Sequence, residues 1–222
     1  MVWDRINANP APLPLAGHIE HKESELSRPS YWSVGSETLD RNYADFDSYV
    51  DYMKATGVGY ARLQSGWAKS EPRVGQYNFG WLDHQVDGLL ARGIHPWLCL
   101  CYGNPAYTSR GYDLNAGIFT DGKVMEGWLN YVREVVQRYK GKVTMYEVWN
   151  EPDGAKAANG IPGESWREYA KLFVETARVI RKTDPDAKIA AFGAFSIDKE
   201  YFRNGLAEIK RLGGIENVDY VT

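Results

Sequence analysis

Short apolar, β-branched runs alternate along this chain with longer stretches in which apolar residues recur every third or fourth position. That alternation narrows the fold sharply. Parallel strands cannot be joined by a hairpin and need a crossover, usually a helix, so the pattern predicts a parallel α/β sheet. Strand one is read over Ser30 to Gly35, strand two over Gly59 to Ser65, and strand three over Ile94 to Cys101. Strand four follows over Val143 to Asn150 and strand five over Lys188 to Phe195, and Val218 to Thr222 opens strand six. Between them, Phe46, Tyr49, Val50 and Met53 mark a helix that stops at Gly57. Leu82, Val86, Leu89 and Leu90 mark one that stops at Gly93. Trp128, Val132, Val135, Val136 and Tyr139 mark a third, ending near Gly141. The clearest period is Trp166, Tyr169, Ala170, Phe173, Val174, Ala177 and Ile180, and a last helix runs from about Lys199 to Leu212. Residues 1–28 are polar, with Pro10, Pro12 and Pro14 spaced by two; they read as an N-terminal arm before a single unit over 29–222.

The fourth strand ends in Val148-Trp149-Asn150-Glu151-Pro152, and Pro152-Asp153-Gly154 is turn chemistry. A carboxylate is therefore expected at the C-terminal tip of a buried strand, the face on which β/α barrels carry their active sites. The competing reading is a helix start, with Asn150 as N-cap and Pro152 just inside. It is the weaker one, because no clear helical period begins before Trp166.

Trp149-Asn150-Glu151-Pro152 resembles the strand-four signature of clan A glycoside hydrolases, retaining sugar-cleaving enzymes on (β/α)8 barrels. Gly57 to Arg62 resembles their strand two, with an arginine near its tip. Trp67-Ala68-Lys69-Ser70-Glu71-Pro72, Gly75 to Phe79 and Leu82-Asp83 resemble the loop and helix that follow, and Tyr102-Gly103-Asn104-Pro105 the end of strand three. The likeness covers roughly Tyr31 to Thr222 and is nearest to family thirty-nine, in its xylosidase and bacterial exopolysaccharide-hydrolase branch; families five and forty-two share parts of it.

The resemblance implies a two-carboxylate mechanism. One carboxylic acid protonates the leaving oxygen, and a second carboxylate, roughly 5 to 5.5 Å away, attacks the opposite face of the sugar. Glu151 matches the acid/base position and Asn150 the residue that binds the sugar 2-hydroxyl. Arg62 matches the arginine that braces the nucleophile and keeps it ionised. Some of Trp67, Tyr102, Asn104 and Trp149, at or beyond strand tips, would line the sugar subsites; for each the alternative is packing under the βα loops. Glu147 lies four residues before Glu151 at the same strand parity, so both are expected to face the interior. An unpaired buried carboxylate is costly, which predicts a cation for Glu147, with Arg62 the candidate and a supporting role behind the site. Glu71 reads as structural, and Asp113, Asp121 and Asp153 as solvated loop residues.

Composition agrees with a soluble enzyme: 222 residues, 44% hydrophobic and 25% charged, can bury a sizeable core. A net charge of −3 gives no reason to expect nucleic acid or a membrane surface as partner. The 8 Trp and 15 Tyr suit a carbohydrate partner, since sugars present flat C–H faces to aromatic rings, although core packing must account for most of them. Cys99 and Cys101, two apart on one strand face, are poor disulfide geometry and read as buried free thiols. The histidines, His18, His21, His84 and His95, have no zinc-ligand spacing, and no metal or other cofactor is expected. No secretion signal is visible at Met1 to Arg5; the location is secreted or periplasmic if a signal has been removed and cytoplasmic otherwise.

A closed barrel needs eight strands, and six are read here; two more units would add on the order of 80 to 100 residues, within the usual range. In clan A the nucleophile is a glutamate at the tip of strand seven, which these residues do not contain. The expectation is a partial barrel that is inactive alone. Other expectations are a non-catalytic carbohydrate-binding fragment, or half of a split barrel that meets a complementing chain or self-associates through its open edge.

Overall fold

A computed structural model describes residues 30–109, 122–154 and 165–222. The expected N-terminal arm, with His18 and His21, lies outside the described residues, as do Asp113 and Asp121. The six strands form one parallel sheet in sequential order. They are β1 (Ser33–Ser36), β2 (Tyr60–Gln64), β3 (His95–Leu100), β4 (Met145–Val148), β5 (Lys188–Ala191) and β6 (Tyr220–Val221). The main helices are α1 (Val50–Ala55), α2 (Trp67–Ser70), α3 (Gly80–Leu90), α4 (Gly122–Tyr139), α5 (Trp166–Thr183) and α6 (Lys199–Arg211). This is the wall of a (β/α)8 barrel over six of its eight strands, with β1 and β6 as edges.

Residues paired across a parallel sheet share a face, so the register sorts the side chains. Ala61, Leu63, Leu98, Leu100, Tyr146, Val148, Ile189 and Ala191 alternate onto one face and are buried in the core. The other face carries Arg62 opposite Trp97, Gln64 opposite Cys99, and Cys99 opposite Glu147. The helices cover the first face. α5 buries Tyr169, Ala170, Phe173, Val174, Ala177 and Ile180, the positions its period predicts. Trp128 of α4 donates its indole N–H to Thr176 Oγ1 of α5 at 2.8 Å, which satisfies a buried donor. α1 and α3 end before Gly57 and Gly93, whose φ angles of 75° and 73° a side chain with a Cβ would strain. Cys99 and Cys101 are both free and buried. Among the described residues no helix is long and apolar enough to cross a membrane, and no cluster of His, Cys, Asp and Glu could hold a metal.

Two strands end sooner than their apolar runs suggest. β4 stops at Val148 rather than Asn150, and β5 at Ala191 rather than Phe195. Trp149 (φ 70°), Glu151 (φ 53°) and Phe192 (φ 83°) take left-handed backbone, which breaks the ladder. Trp149 and Phe192 stay in the core, so the run remains apolar after the strand has ended.

Candidate active site

Glu147 is the anchor of the site. It sits within β4, is 1% exposed and points to the inner face. Arg62 of β2 reaches it across β3, with Nε 2.9 Å from Oε2 and Nη2 closer still on the same oxygen. The ion pair expected from the cost of a buried carboxylate is therefore present. Thr222 donates its hydroxyl to the other oxygen, Oε1, at 2.7 Å. Arg62 also donates from Nη1 to Glu37 Oε1, just past β1, and from Nη2 to Asn150 Oδ1, both at 2.8 Å. Its guanidinium lies over the Trp97 ring, 5.6 Å from the centroid. Burial works against the Arg62 charge, but the Glu147 and Glu37 carboxylates around it outweigh that and hold its pKa above the ordinary value.

Asn150 is oriented by this cation. A guanidinium can only donate, so the amide oxygen must face Arg62, and the amide nitrogen faces Tyr102, donating to its hydroxyl at 2.7 Å. Gln64 Nε2 donates to the same hydroxyl at 3.2 Å, while Gln64 Oε1 accepts from Arg41 at 3.0 Å and from the Thr38 amide at 3.2 Å. Burial pushes the Tyr102 phenol well above its ordinary range, and the Glu151 carboxylate pushes the same way. The phenol stays neutral; with two donors already on its oxygen, its own proton is left to give to a ligand. Cys99 takes no part as a nucleophile: burial drives its thiol pKa far up, and the protonated sulfur bonds Trp149 O at 3.3 Å.

Glu151 stands next on this rim with its side chain exposed. Its amide donates to Gly193 O at 2.8 Å, tying the tip of β4 to that of β5. Pro152 then opens a 3-10 turn, Pro152–Gly154, and α5 begins only at Trp166. Left-handed backbone at Trp149 and Glu151 breaks the extended count between Glu147 and Glu151, and Glu147 is buried where Glu151 is exposed. Asn150, not Glu151, shares a partner with Glu147.

Three of the four residues named for the sugar subsites have little exposed surface. Trp67 is 0% exposed, its ring 4.9 Å from Tyr107 and stacked on Tyr131 at 5.8 Å. Its indole N–H goes to Glu71 Oε2 at 2.6 Å. Trp149 is buried edge-on to Tyr102 and Trp128. Asn104 is buried and staples the loop after β3, donating to Glu71 O and accepting from the Ala106 amide, each at 2.8 Å. Trp149 packs in the core, whereas Trp67 and Asn104 are buried but still border the cavity between the loops after β1, β2 and β3. Glu71 is structural as expected, its Oε1 accepting from Gly75 N at 2.7 Å and Tyr107 OH at 2.6 Å. Asp153, expected to be solvated, instead binds Phe195 N, Ser196 N and Ser196 Oγ.

Two participants carried no clear sequence signal. Glu37 follows a short strand, and Gln64 looks like any polar strand end; only their place on the same rim as Arg62 could have marked them. Beside them a cavity of about 710 Å³ opens between the loops after β1, β2 and β3, lined among others by Arg41, Tyr43, Lys69 and Tyr102. Tyr102 joins it to Asn150. A rim of fixed donors, an exposed carboxylate and an adjoining cleft of this size can hold a small polar ligand and exchange a proton with it.

The chain is similar to known proteins in sequence and in fold. The chain is 27% identical over 187 residues to endo-1,4-beta-xylanase B of Humicola insolens, covering 84% of this chain and 49% of the relative. It is 30% identical over 122 residues to the beta-xylosidase of Geobacillus stearothermophilus, covering 51% of this chain and 24% of that one. The chain thus spans half or less of the length of these curated relatives. Among solved structures, a family 39 glycoside hydrolase from Bacteroides cellulosilyticus WH2 superposes with a TM-score of 0.64 at 20% identity, covering 85% of this chain and 36% of that one. Xylanase 10B from Thermotoga petrophila RKU-1 superposes with a TM-score of 0.63 at 18% identity, covering 92% and 64%. The sequence pattern of glycosyl hydrolases family 39 matches residues 37–221, from the glutamate that holds Arg62 to the end of β6, and the chain belongs to that family.

Proposed function

We propose that this chain contributes the acid/base half of a retaining glycosidase that hydrolyses O-glycosidic bonds, with β-1,4-linked xylosyl chains as the first substrate to test. The sugar comes from the names of the xylanase and xylosidase relatives. The observation that carries the reading is the pairing at the β4 tip. Glu151 is exposed, and the Asn150 amide beside it is fixed by Arg62 so that an N–H remains for a sugar hydroxyl. In this reading Glu151 protonates the leaving oxygen and then takes a proton from water. Asn150 and Tyr102 bind hydroxyls of the sugar being cleaved, and Arg62 and Glu147 hold Asn150 in place. The attacking carboxylate belongs to a seventh strand, outside the six described here.

The test is Glu151→Gln in the protein expressed from its complete reading frame. Turnover of xylo-oligosaccharides should fall by about 10²–10⁴-fold, the range general acid catalysis supplies. An aryl xyloside with a good leaving group needs little protonation and should lose much less in its first step. Azide should restore its turnover by replacing base-assisted water. Wild-type rates on xylo-oligosaccharides would end the assignment. Residues 1–222 alone should show no turnover of either substrate, because acid catalysis without the opposite carboxylate leaves nothing to attack the sugar. An active 222-residue chain would move the nucleophile into this sequence.

A further inference from the structure

The loop after β5 presents an exposed aromatic ring. Phe195 is 68% exposed and Ile197 is 90% exposed, whereas Phe192, three residues earlier, is buried and stacked on Tyr169 at 4.9 Å. The core therefore has its aromatic residue from this segment already. The loop is nevertheless firmly held. Asp153 accepts from the amides of Phe195 and Ser196 at 3.0 and 2.9 Å and from Ser196 Oγ at 2.7 Å. Glu151 N bonds Gly193 O at the start of the same loop. The Phe195 ring lies over the turn after Glu151, its Cδ1 3.9 Å from where a Cβ on Gly154 would stand. Both polar ties thus run from the Glu151–Gly154 segment to the segment that bears Phe195.

That position has a chemical meaning if Glu151 is the acid, and the inference rests on that reading. The acid gives its proton to the oxygen between the anomeric carbon and the leaving group, so the leaving group must lie on the side of Glu151. The cavity lined by Arg41, Tyr43 and Tyr102 opens towards β1 to β3, and Phe195 stands towards β5. We infer that Phe195 is the platform for the leaving sugar, stacking its ring on the apolar C–H face of a neutral pyranose. A rigid ring suits that task because little side-chain freedom is lost on binding, and the Asp153 ties remove the loop's share of that cost. An aromatic face takes an uncharged, flat partner, so the leaving groups favoured are neutral sugars, with Ile197 extending the apolar surface.

The experiment compares two substrates in the protein expressed from its complete reading frame. Xylotriose departs with a sugar ring, whereas β-D-xylosyl fluoride departs with fluoride, which has no ring and needs no proton. Phe195→Ala should lower kcat/KM for xylotriose by about tenfold relative to its effect on the fluoride, the size of one lost aromatic contact. Phe195→Trp should keep the wild-type ratio. An unchanged ratio in Phe195→Ala overturns the platform, whether both substrates lose equally or neither loses. A wild-type protein inert towards both substrates overturns the proposed function instead, and a Tm loss with equal loss on both substrates would mark the ring as packing.

Discussion

Replacing Glu147 by Gln keeps the shape of the side chain and removes its charge, which isolates what the buried ion pair contributes. Breaking a buried pair by removing one partner costs about 3–5 kcal/mol, because an uncompensated charge is left behind. Here the two directions differ. Glu147→Gln leaves Arg62, 15% exposed, still bonded to Glu37 and Asn150, so its charge keeps one carboxylate. Because Arg62 keeps that carboxylate, although a partly exposed one, the expected cost falls below that range, at about 2–3 kcal/mol. Among the described residues, Arg62→Met leaves the Glu147 carboxylate with the Thr222 hydroxyl alone, and the full range of about 3–5 kcal/mol applies. The double variant removes both charges and should cost less than the sum, by a coupling energy of about 2 kcal/mol or more. Equilibrium urea unfolding of the four proteins, read as shifts in midpoint at constant slope, measures it. Additivity within about 0.5 kcal/mol would mean that the two side chains do not interact, and the account of how Asn150 is held would fall with it.

Gly193→Ala places a Cβ 2.9 Å from both Glu147 Cδ and Trp149 O at a φ of 53°, so a destabilisation of about 1–3 kcal/mol and a matching loss of activity are expected. An unfolding midpoint equal to wild type would contradict the close packing of the two tips. The Arg138 hydrogen bond, opposed by partial burial, holds the Asp83 carboxyl below its usual value of 3.8, with help from Tyr139. A depressed carboxyl stabilises the folded state above the unfolded pKa and loses that contribution as pH falls through the folded one. Asp83→Asn should therefore flatten the decline of Tm below about pH 4, and an unchanged acid limb would remove Asp83 from the explanation.

How much of this was legible in the sequence depended on whether burial followed from period alone. α5 was readable residue by residue because an apolar stripe of that length has one stable orientation against a sheet. The ends of β4 and β5 were not, because Trp149 and Phe192 are apolar for the sake of the core while their backbone has left the strand. A parity count carried through such residues has no physical basis, so the contact between Asn150 and the Arg62–Glu147 pair does not follow from alternation. Trp67 and Asn104 show the complementary limit. Strand-tip position places both on the rim of the cavity, but how deeply each is buried is set by Glu71 and Tyr107, partners that are distant in sequence or look generic. Arg62 and Glu147 were paired correctly on cost alone, since a buried carboxylate on an inner strand face must find a cation.

The strained tips and the aromatic core are one device. Trp149, Glu151 and Phe192 each hold a left-handed backbone that costs a residue with a Cβ about 1–3 kcal/mol. Two of the three drive a large ring into the interior, and burying such a ring returns about 1.5–3 kcal/mol each. Glu151 has no such anchor, because its side chain is exposed. Its backbone is held instead by the Gly193 carbonyl, and through Gly193 by the turn that Phe192 secures. The position of the carboxylate is thus set by two buried rings just past the ends of neighbouring strands, while its own side chain is exposed. Shrinking Trp149 or Phe192 should therefore disturb Glu151 more than any change to the outer apolar face of β2 or β3, where a lost methylene costs stability and leaves both tips in place.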